Sequence, residues 1–290
     1  MIHIPKIGFN GRYIMNFPPV YVISMPNSSR VNVIKSQLAE LQTDFTIQEA
    51  LDGSKLSEES INELVDLKSC DARLGFRISK NLVGSGLSHR EVYKKAFDSK
   101  SDWVLILEED VQITNFNKDI ILRIIASLDD SPSIVQLFTR ASRMMERSSV
   151  VKLSSSEILY NFKKRIVGCG AQAYLINRKA LKYAVDSKKL NGAPDWPPWS
   201  QYCEFFGVYP WLFYETNLGS TVPLPETYKY RYFMRRTAQF FGLHYLYYRN
   251  QYSSFKSYIR EEIQPYFNHL LWKITGSKYY RGDSEGPQII

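Results

Sequence analysis

Residues 103–111 read WVLILEEDV, five apolar residues that run directly into three consecutive acids. A run this short, without polar alternation, suits a strand buried on both faces of a parallel sheet. Open parallel sheets bind ligands just beyond the carboxyl ends of their strands. Glu108, Glu109 and Asp110 are therefore predicted at a ligand-facing rim. Hard carboxylate oxygens there suit Mg²⁺ or Mn²⁺, and such an ion can hold a diphosphate. The plainer alternative is an acidic strand end that opens a solvated loop, and the surrounding chain has to decide between the two.

The surrounding pattern is a strand–helix alternation. VYVIS at 20–24 reads as a first buried strand, followed by a Pro/Asn/Ser turn and a helix over about 30–41. Val31, Ile34, Leu38 and Leu41 share one face of that helix. Ser28 or Ser29 is the expected N-cap, which leaves backbone N–H groups suited to an anion. A second strand is predicted over 45–50, short helices and a mobile connection over 54–82, and a helix over about 85–97 that places His89 in its first turn. Further strands are predicted at 134–138 and 170–176, with a helix at 178–185. The Arg-, Lys- and Ser-rich stretch 140–165 reads as a loop or lid, and FFGVYPWLFY at 205–214 as a late strand or packing piece. This order implies α/β architecture: a largely parallel, Rossmann-type sheet with right-handed crossovers, flanked by helices.

The formal charge of +8 is concentrated. Residues 228–260 hold seven Lys or Arg, no Asp or Glu, and twelve aromatics. We place a domain boundary at 226, with a catalytic domain over 1–226 and a basic, aromatic appendage over 227–290. Tyr and Trp favour a membrane interface and cations favour anionic headgroups, so the appendage suits an anionic membrane surface. The same composition suits packing against the catalytic domain. Nucleic acid is not expected, for no RNP, KH or zinc-finger signature accompanies the basic run. Three widely spaced cysteines (Cys70, Cys169 and Cys203) give neither a disulfide framework nor a metal-binding spacing. The N-terminal residues lack the apolar stretch of a secretory signal, and no window reaches the ~20 apolar residues of a membrane span. A cytoplasmic protein, peripheral on the inner face of a bacterial membrane, is the expectation.

The segments VYVISMPNSSR (20–30), EALDG (49–53), GLSHREVYKKAF (86–97), WVLILEEDV (103–111), GCGAQAYLINRKAL (168–181) and the Pro194-Asp195 pair follow an order that resembles glycosyltransferase family 25. That family includes bacterial lipooligosaccharide galactosyltransferases. The resemblance spans roughly 20–223, and it departs at one position: the family's middle acid is usually Asp, where this chain has Glu109. It implies a GT-A-like fold, a UDP-sugar donor, a divalent metal (Mn²⁺ or Mg²⁺) and a lipid-linked oligosaccharide acceptor. Carried onto this chain, it implies metal ligation by Glu108 and Asp110, and donor contacts from Ser24, Arg30, Ala50, Asp52, Gly53, His89 and Glu109.

The chemistry of these residue types fits. A leaving nucleoside diphosphate gains negative charge, which a bound metal stabilises as a Lewis acid. On an extended chain Glu108 and Asp110 would share one side and Glu109 the other. A guanidinium at Arg30 offers a planar donor set for phosphate or base, although a surface Arg explains the residue as well. Asp52-Gly53 can be a ribose or base contact, or simply a turn, and His89 a ligand contact or a structural histidine. Inversion needs a base to take the acceptor hydroxyl proton. Asp195, in GAPDWPPWSQ (192–201), is the first candidate, with Trp196 and Trp199 as the acceptor platform. The expected activity is transfer of a hexose, galactose or else glucose, onto a surface glycan. A degenerate, non-catalytic glycan- or membrane-binding member of the same fold is the alternative. A nucleotidyltransferase would normally need a Gly-rich phosphate loop, and GSG at 84–86 is too short to be one.

Overall fold

In the computed structural model the described residues are 16–74, 78–138, 150–162, 170–192 and 197–216. The elements are β1 (Val20–Ser24), α1 (Val31–Glu40), β2 (Phe45–Glu49), α2 (Glu58–Leu64), α3 (Leu67–Leu74), α4 (Lys80–Asp98), β3 (Trp103–Glu108), β4 (Val111–Ile113), α5 (Lys118–Ala126), β5 (Ser133–Gln136), β6 (Val151–Lys152), β7 (Ile158–Asn161), β8 (Ala173–Asn177), α6 (Arg178–Asp186), β9 (Glu204–Tyr209) and β10 (Phe213–Glu215). Eight strands form one sheet in the order β2-β1-β3-β8-β5-β9-β7-β6, and β4 pairs with β10 beside it. The pairings orient six of the eight strands one way, with β8 and β7 opposed. The sheet is thus mostly parallel and helix-flanked, a GT-A-like architecture.

Central strands β1, β3, β5 and β8 are largely buried because both of their faces are covered. Every residue of β1 and β8 is buried, as are Val104 to Leu107 of β3. Helix α1 buries Val31, Ile34 and Leu38 against this core, as the spacing predicts. A satellite core of Ile61, Val65, Cys70, Ile78, Val83, Leu87 and Leu190 lies under α2–α4.

Four expectations need correction. First, α4 begins at Lys80, capped by the Ser79 hydroxyl, which accepts from Leu82 N–H. His89 is therefore mid-helix, not in the first turn. Gly84 and Gly86 weaken the local helix signal, yet they are what the packing demands. A Cβ on Gly84 would stand 2.5 Å from the Leu51 carbonyl oxygen, and one on Gly86 2.8 Å from Leu190 Cδ2. Second, α1 has no side-chain cap at Arg30; Ser28 Oγ accepts instead from the Arg30 N–H at 3.3 Å. Third, the 140–165 stretch is not wholly excursion, since β6 and β7 add an antiparallel pair to the sheet edge. Fourth, the 205–214 run supplies two strands, β9 and β10. Helix α5, capped by Asn117 and buried through Ile120, Ile121, Ile124 and Ile125, goes unread because its isoleucines resemble a strand run. The boundary at 226 and the basic appendage lie outside the described residues.

Candidate active site

Strand β1 leads through α1 to β2 on one side, and the chain then returns through α2–α4 to β3 on the other side of β1. Connections diverge at the carboxyl ends of β1 and β3, and this is where an open α/β sheet leaves a crevice. The parallel register ends with Ile23 opposite Glu108, and Glu109 N–H closes it onto the Ile23 carbonyl at 3.0 Å. The acid triplet therefore stands at this switch point. Strand β3 stops at Glu108 and the chain turns at Glu109–Asp110, so alternation governs only the first of the acids.

Glu109 turns toward the β1–α1 turn and is buried. One carboxylate oxygen, Oε1, receives both the Nε (3.1 Å) and the second amino nitrogen of Arg30. The other, Oε2, accepts from the Ser24 hydroxyl at 2.7 Å and the Met25 N–H at 3.2 Å. The side chains of this ion pair are 15% and 5% exposed. Thus Ser24, Arg30 and Glu109, three of the predicted donor contacts, converge on one another. Their visible work is to hold the β1–α1 turn against the end of β3. The extra methylene that distinguishes Glu109 from Asp carries a carboxylate saturated by protein donors.

Glu108 turns the opposite way, toward α4 and β8. Its Oε1 meets His89 Nε2 at 2.9 Å; His89 is 2% exposed and Glu108 23%. His89 Nδ1 meets the Tyr174 hydroxyl at 2.9 Å, and Tyr174 reaches the Tyr93 hydroxyl at 2.9 Å. The His89 and Tyr174 rings stack at 5.9 Å. Tyr93 in turn packs edge-on against Trp199, with centroids 5.5 Å apart. The register explains the meeting. Tyr174 lies opposite Ile106, two residues before Glu108, so both side chains leave the same face of the sheet. Burial, followed by neighbouring Tyr93 and Glu108, pushes the Tyr174 phenol well above its ordinary value and keeps it neutral. The sequence reading missed Tyr174. Its only signal is one polar-tipped ring in the otherwise apolar run AYLI (173–176).

Asp52 caps a 3-10 turn, Gly53–Lys55, accepting from the Ser54 N–H (3.0 Å) and hydroxyl (2.6 Å). The Ser54 hydroxyl above all holds its carboxyl below the usual range. Gly53 is a close-approach residue: a Cβ would stand 1.8 Å from the Lys80 carbonyl oxygen. Ser88 locks the same loop, accepting from Leu51 N–H at 2.8 Å and donating to the Gly84 carbonyl at 2.7 Å. Ala50 pairs by backbone with Ser24 (2.8 Å), which carries the loop to the rim.

Asp110 is half-buried, and its carbonyl accepts from Thr216 N–H at 2.6 Å, tying the turn to β10. Trp199 is not the open platform expected of it. It is buried in the core against Tyr93, and lines a narrow pocket with His89, Arg90, Leu190 and Pro197. At 7% exposed, the indole offers little surface to stack on. Asp195 and Trp196 lie outside the described residues. No group of three or more His, Cys, Asp or Glu placed to hold a metal ion occurs among the described residues. A Mg²⁺-type site does not need one, since such ions commonly take one or two carboxylates and complete their shell with substrate phosphate and water. Glu108 and Asp110 are carboxylates of the type that donor set uses.

Fold and rim together define an α/β protein with its acid triplet at the first switch point of the sheet, where such folds bind ligands. The sequence model of glycosyltransferase family 25 (LPS biosynthesis protein) matches residues 17–193, more than half of the chain, and the chain belongs to that family. No curated protein matches it in sequence. Among solved structures, A197 from STIV is similar at 13% identity and TM-score 0.36, over 72% of this chain and 99% of that one. A glycosyltransferase involved in the glycosylation of the major capsid of PBCV-1 is similar at 12% identity and TM-score 0.29, over 58% and 63% of the two chains. The inositol-1-phosphate CTP transferase from T. maritima is similar at 11% identity and TM-score 0.35, over 77% and 96%. Likenesses of this size fix neither donor nor acceptor. Family membership makes the protein a glycosyltransferase.

Proposed function

We propose that this glycosyltransferase moves a hexose, galactose or else glucose, from a UDP-sugar to a lipid-linked surface glycan with inversion. The observation that carries the reading is the placement of Glu108 and Asp110 at the carboxyl end of β3, beside the β1 switch point. A nucleoside diphosphate bound there meets the end of β3 and the β1–α1 turn that carries Arg30. Glu108 and Asp110 would hold a Mn²⁺ or Mg²⁺, which supplies Lewis-acid stabilisation of the leaving diphosphate when bound. The protein's own groups do the rest. Glu109, Ser24 and the Met25 N–H fix the turn carrying Arg30. The Asp52–Gly53 loop, pinned by Ser88, walls the crevice on the β2 side. Asp195 is proposed as the base for the acceptor hydroxyl. Trp196 is proposed as acceptor platform, and the 227–290 appendage as the contact with an anionic membrane.

Donor binding tests this directly. Thermal shift and calorimetry with UDP-galactose, UDP-glucose, UDP-N-acetylhexosamines and GDP- and CMP-sugars, each with and without Mn²⁺, should give a metal-dependent response confined to one or two UDP-sugars. Asp110→Ala should abolish it. A folded protein that responds to no donor would sink the proposal and favour the non-catalytic, glycan- or membrane-binding alternative.

A further inference from the structure

Tyr174 has no packing reason to be a tyrosine. It is fully buried in β8 between Ala173 and Leu175, where a phenyl ring would fill the same space. A buried hydroxyl is tolerated only when hydrogen-bonded. This one is placed at 2.9 Å from both His89 Nδ1 and the Tyr93 hydroxyl. His89 likewise sits 2% exposed on the inner face of α4, with each ring nitrogen engaged. The line Tyr93–Tyr174–His89 is thus buried, and only Glu108 at its end is partly exposed, at the carboxyl rim of β3. Glu108 is the one acid of the triplet held by a side chain on α4.

We propose that Tyr174 and Tyr93 are positioning residues for sugar transfer: through His89 they fix the Glu108 carboxylate in the orientation the donor site uses. The inference rests on the proposed role of Glu108. The physical basis is the geometry of an imidazole. A ring nitrogen anchored by a buried partner sets the direction of the other nitrogen. With Nδ1 held by Tyr174, Nε2 points at Glu108 Oε1 and leaves Oε2 for the ligand. Without the Tyr174 hydroxyl the ring is free to turn about its outer bond, and Glu108 loses its fixed partner while the core keeps its volume. Tyr93 extends the anchoring to Trp199, so the carboxylate is braced against the segment preceding β9.

The test uses full-length protein and the variants Tyr174→Phe, His89→Gln and His89→Ala. Turnover is read as release of UDP from whichever UDP-sugar the wild type accepts. Tyr174→Phe should lower kcat about 10- to 100-fold, the range for a partner behind a ligating side chain, with a much smaller change in donor KM. His89→Gln, which still presents a donor toward Glu108, should retain more activity than His89→Ala. An independent readout needs no donor. The ¹⁵N resonances of the His89 ring should report a single fixed ring environment with both nitrogens engaged in the wild type, and ring averaging in Tyr174→Phe. If Tyr174→Phe changes neither the ring resonances nor kcat, the positioning role is overturned. Wild type that binds no nucleotide sugar, with the ring resonances shifting as stated, would instead overturn the proposed donor while leaving the line of contacts standing.

Discussion

Both ends of the same sheet carry charge, and they use it differently. At the carboxyl rim of β1 and β3, Arg30–Glu109 and His89–Glu108 are largely buried and join segments 79 and 19 residues apart. At the opposite rim, where α6 starts beside the N-terminal end of β3, Lys179–Asp130 is 52% and 89% exposed, and Lys182–Asp186 is a local helix pair. Asp129 there is held by its neighbour Ser131. The chemistry of the side chains is alike. Water decides the difference, because a buried charge must be satisfied by protein whereas an exposed one is satisfied by solvent. The buried rim is thus a constructed object, and the exposed rim is a solubilising surface.

The comparison breaks most readily at Glu109. Glu109→Ala removes the carboxylate that gathers Arg30, the Ser24 hydroxyl and the Met25 N–H, and should cost about 3 kcal/mol in urea denaturation. A loss under 1 kcal/mol would mean that the rim is not rigidly built. Next comes Gly84→Ala, whose new Cβ would meet the Leu51 and Gly53 backbone. It should destabilise by about 2 kcal/mol and displace the Asp52–Gly53 loop, which weaker donor binding would register. Tyr174→Phe should cost about 1 kcal/mol, a smaller effect on folding than on turnover. The smallest effect belongs to the exposed rim. Lys179→Ala should shift stability by no more than about 0.5 kcal/mol, and that little should vanish in high salt.

Titration sharpens the same contrast. Burial raises the phenol of Tyr174 and that of Tyr160, so between the ordinary value of 10.0 and the raised one the folded chain holds protons that the unfolded chain has lost. Stability is therefore full below pH 10 and falls as the pH climbs beyond it. Denaturation curves at pH 8 and pH 10.5 should separate, and the Tyr174→Phe variant should show a shallower fall. Burial also pushes the Cys203 thiol up to about 12, so at pH 8 it should react with thiol reagents far more slowly than a free cysteine.

The legible parts of this chain were those in which one local property is enough. The apolar run of β3 read as a buried strand, the spacing of Val31, Ile34 and Leu38 as a helix face, and the sequence of motifs as a family. Each depends on residues near one another in the chain. The sequence pattern places the start of helix α4 near residue 85, whereas it begins at Lys80, and the reason for Gly84 and Gly86 inside it lies in Leu51 and Leu190, more than thirty residues away on one side and a hundred on the other. For the same reason the sequence placed Ser24, Arg30, Glu108, Glu109 and His89 at one site without saying which touched which.

What the sequence by itself determined is the alternation of strands and helices, the acid triplet at a strand end and the class of enzyme. Tertiary structure alone decided that the triplet divides: Glu109 goes to Arg30 and Ser24, Glu108 goes to His89 and, behind it, Tyr174. That division follows from the end of β3 at Glu108 and from β8 running antiparallel beside it. Hydrophobic pattern reports only whether a position faces water, while hydrogen-bond partners in the core are set by the register of strands that lie far apart in the chain.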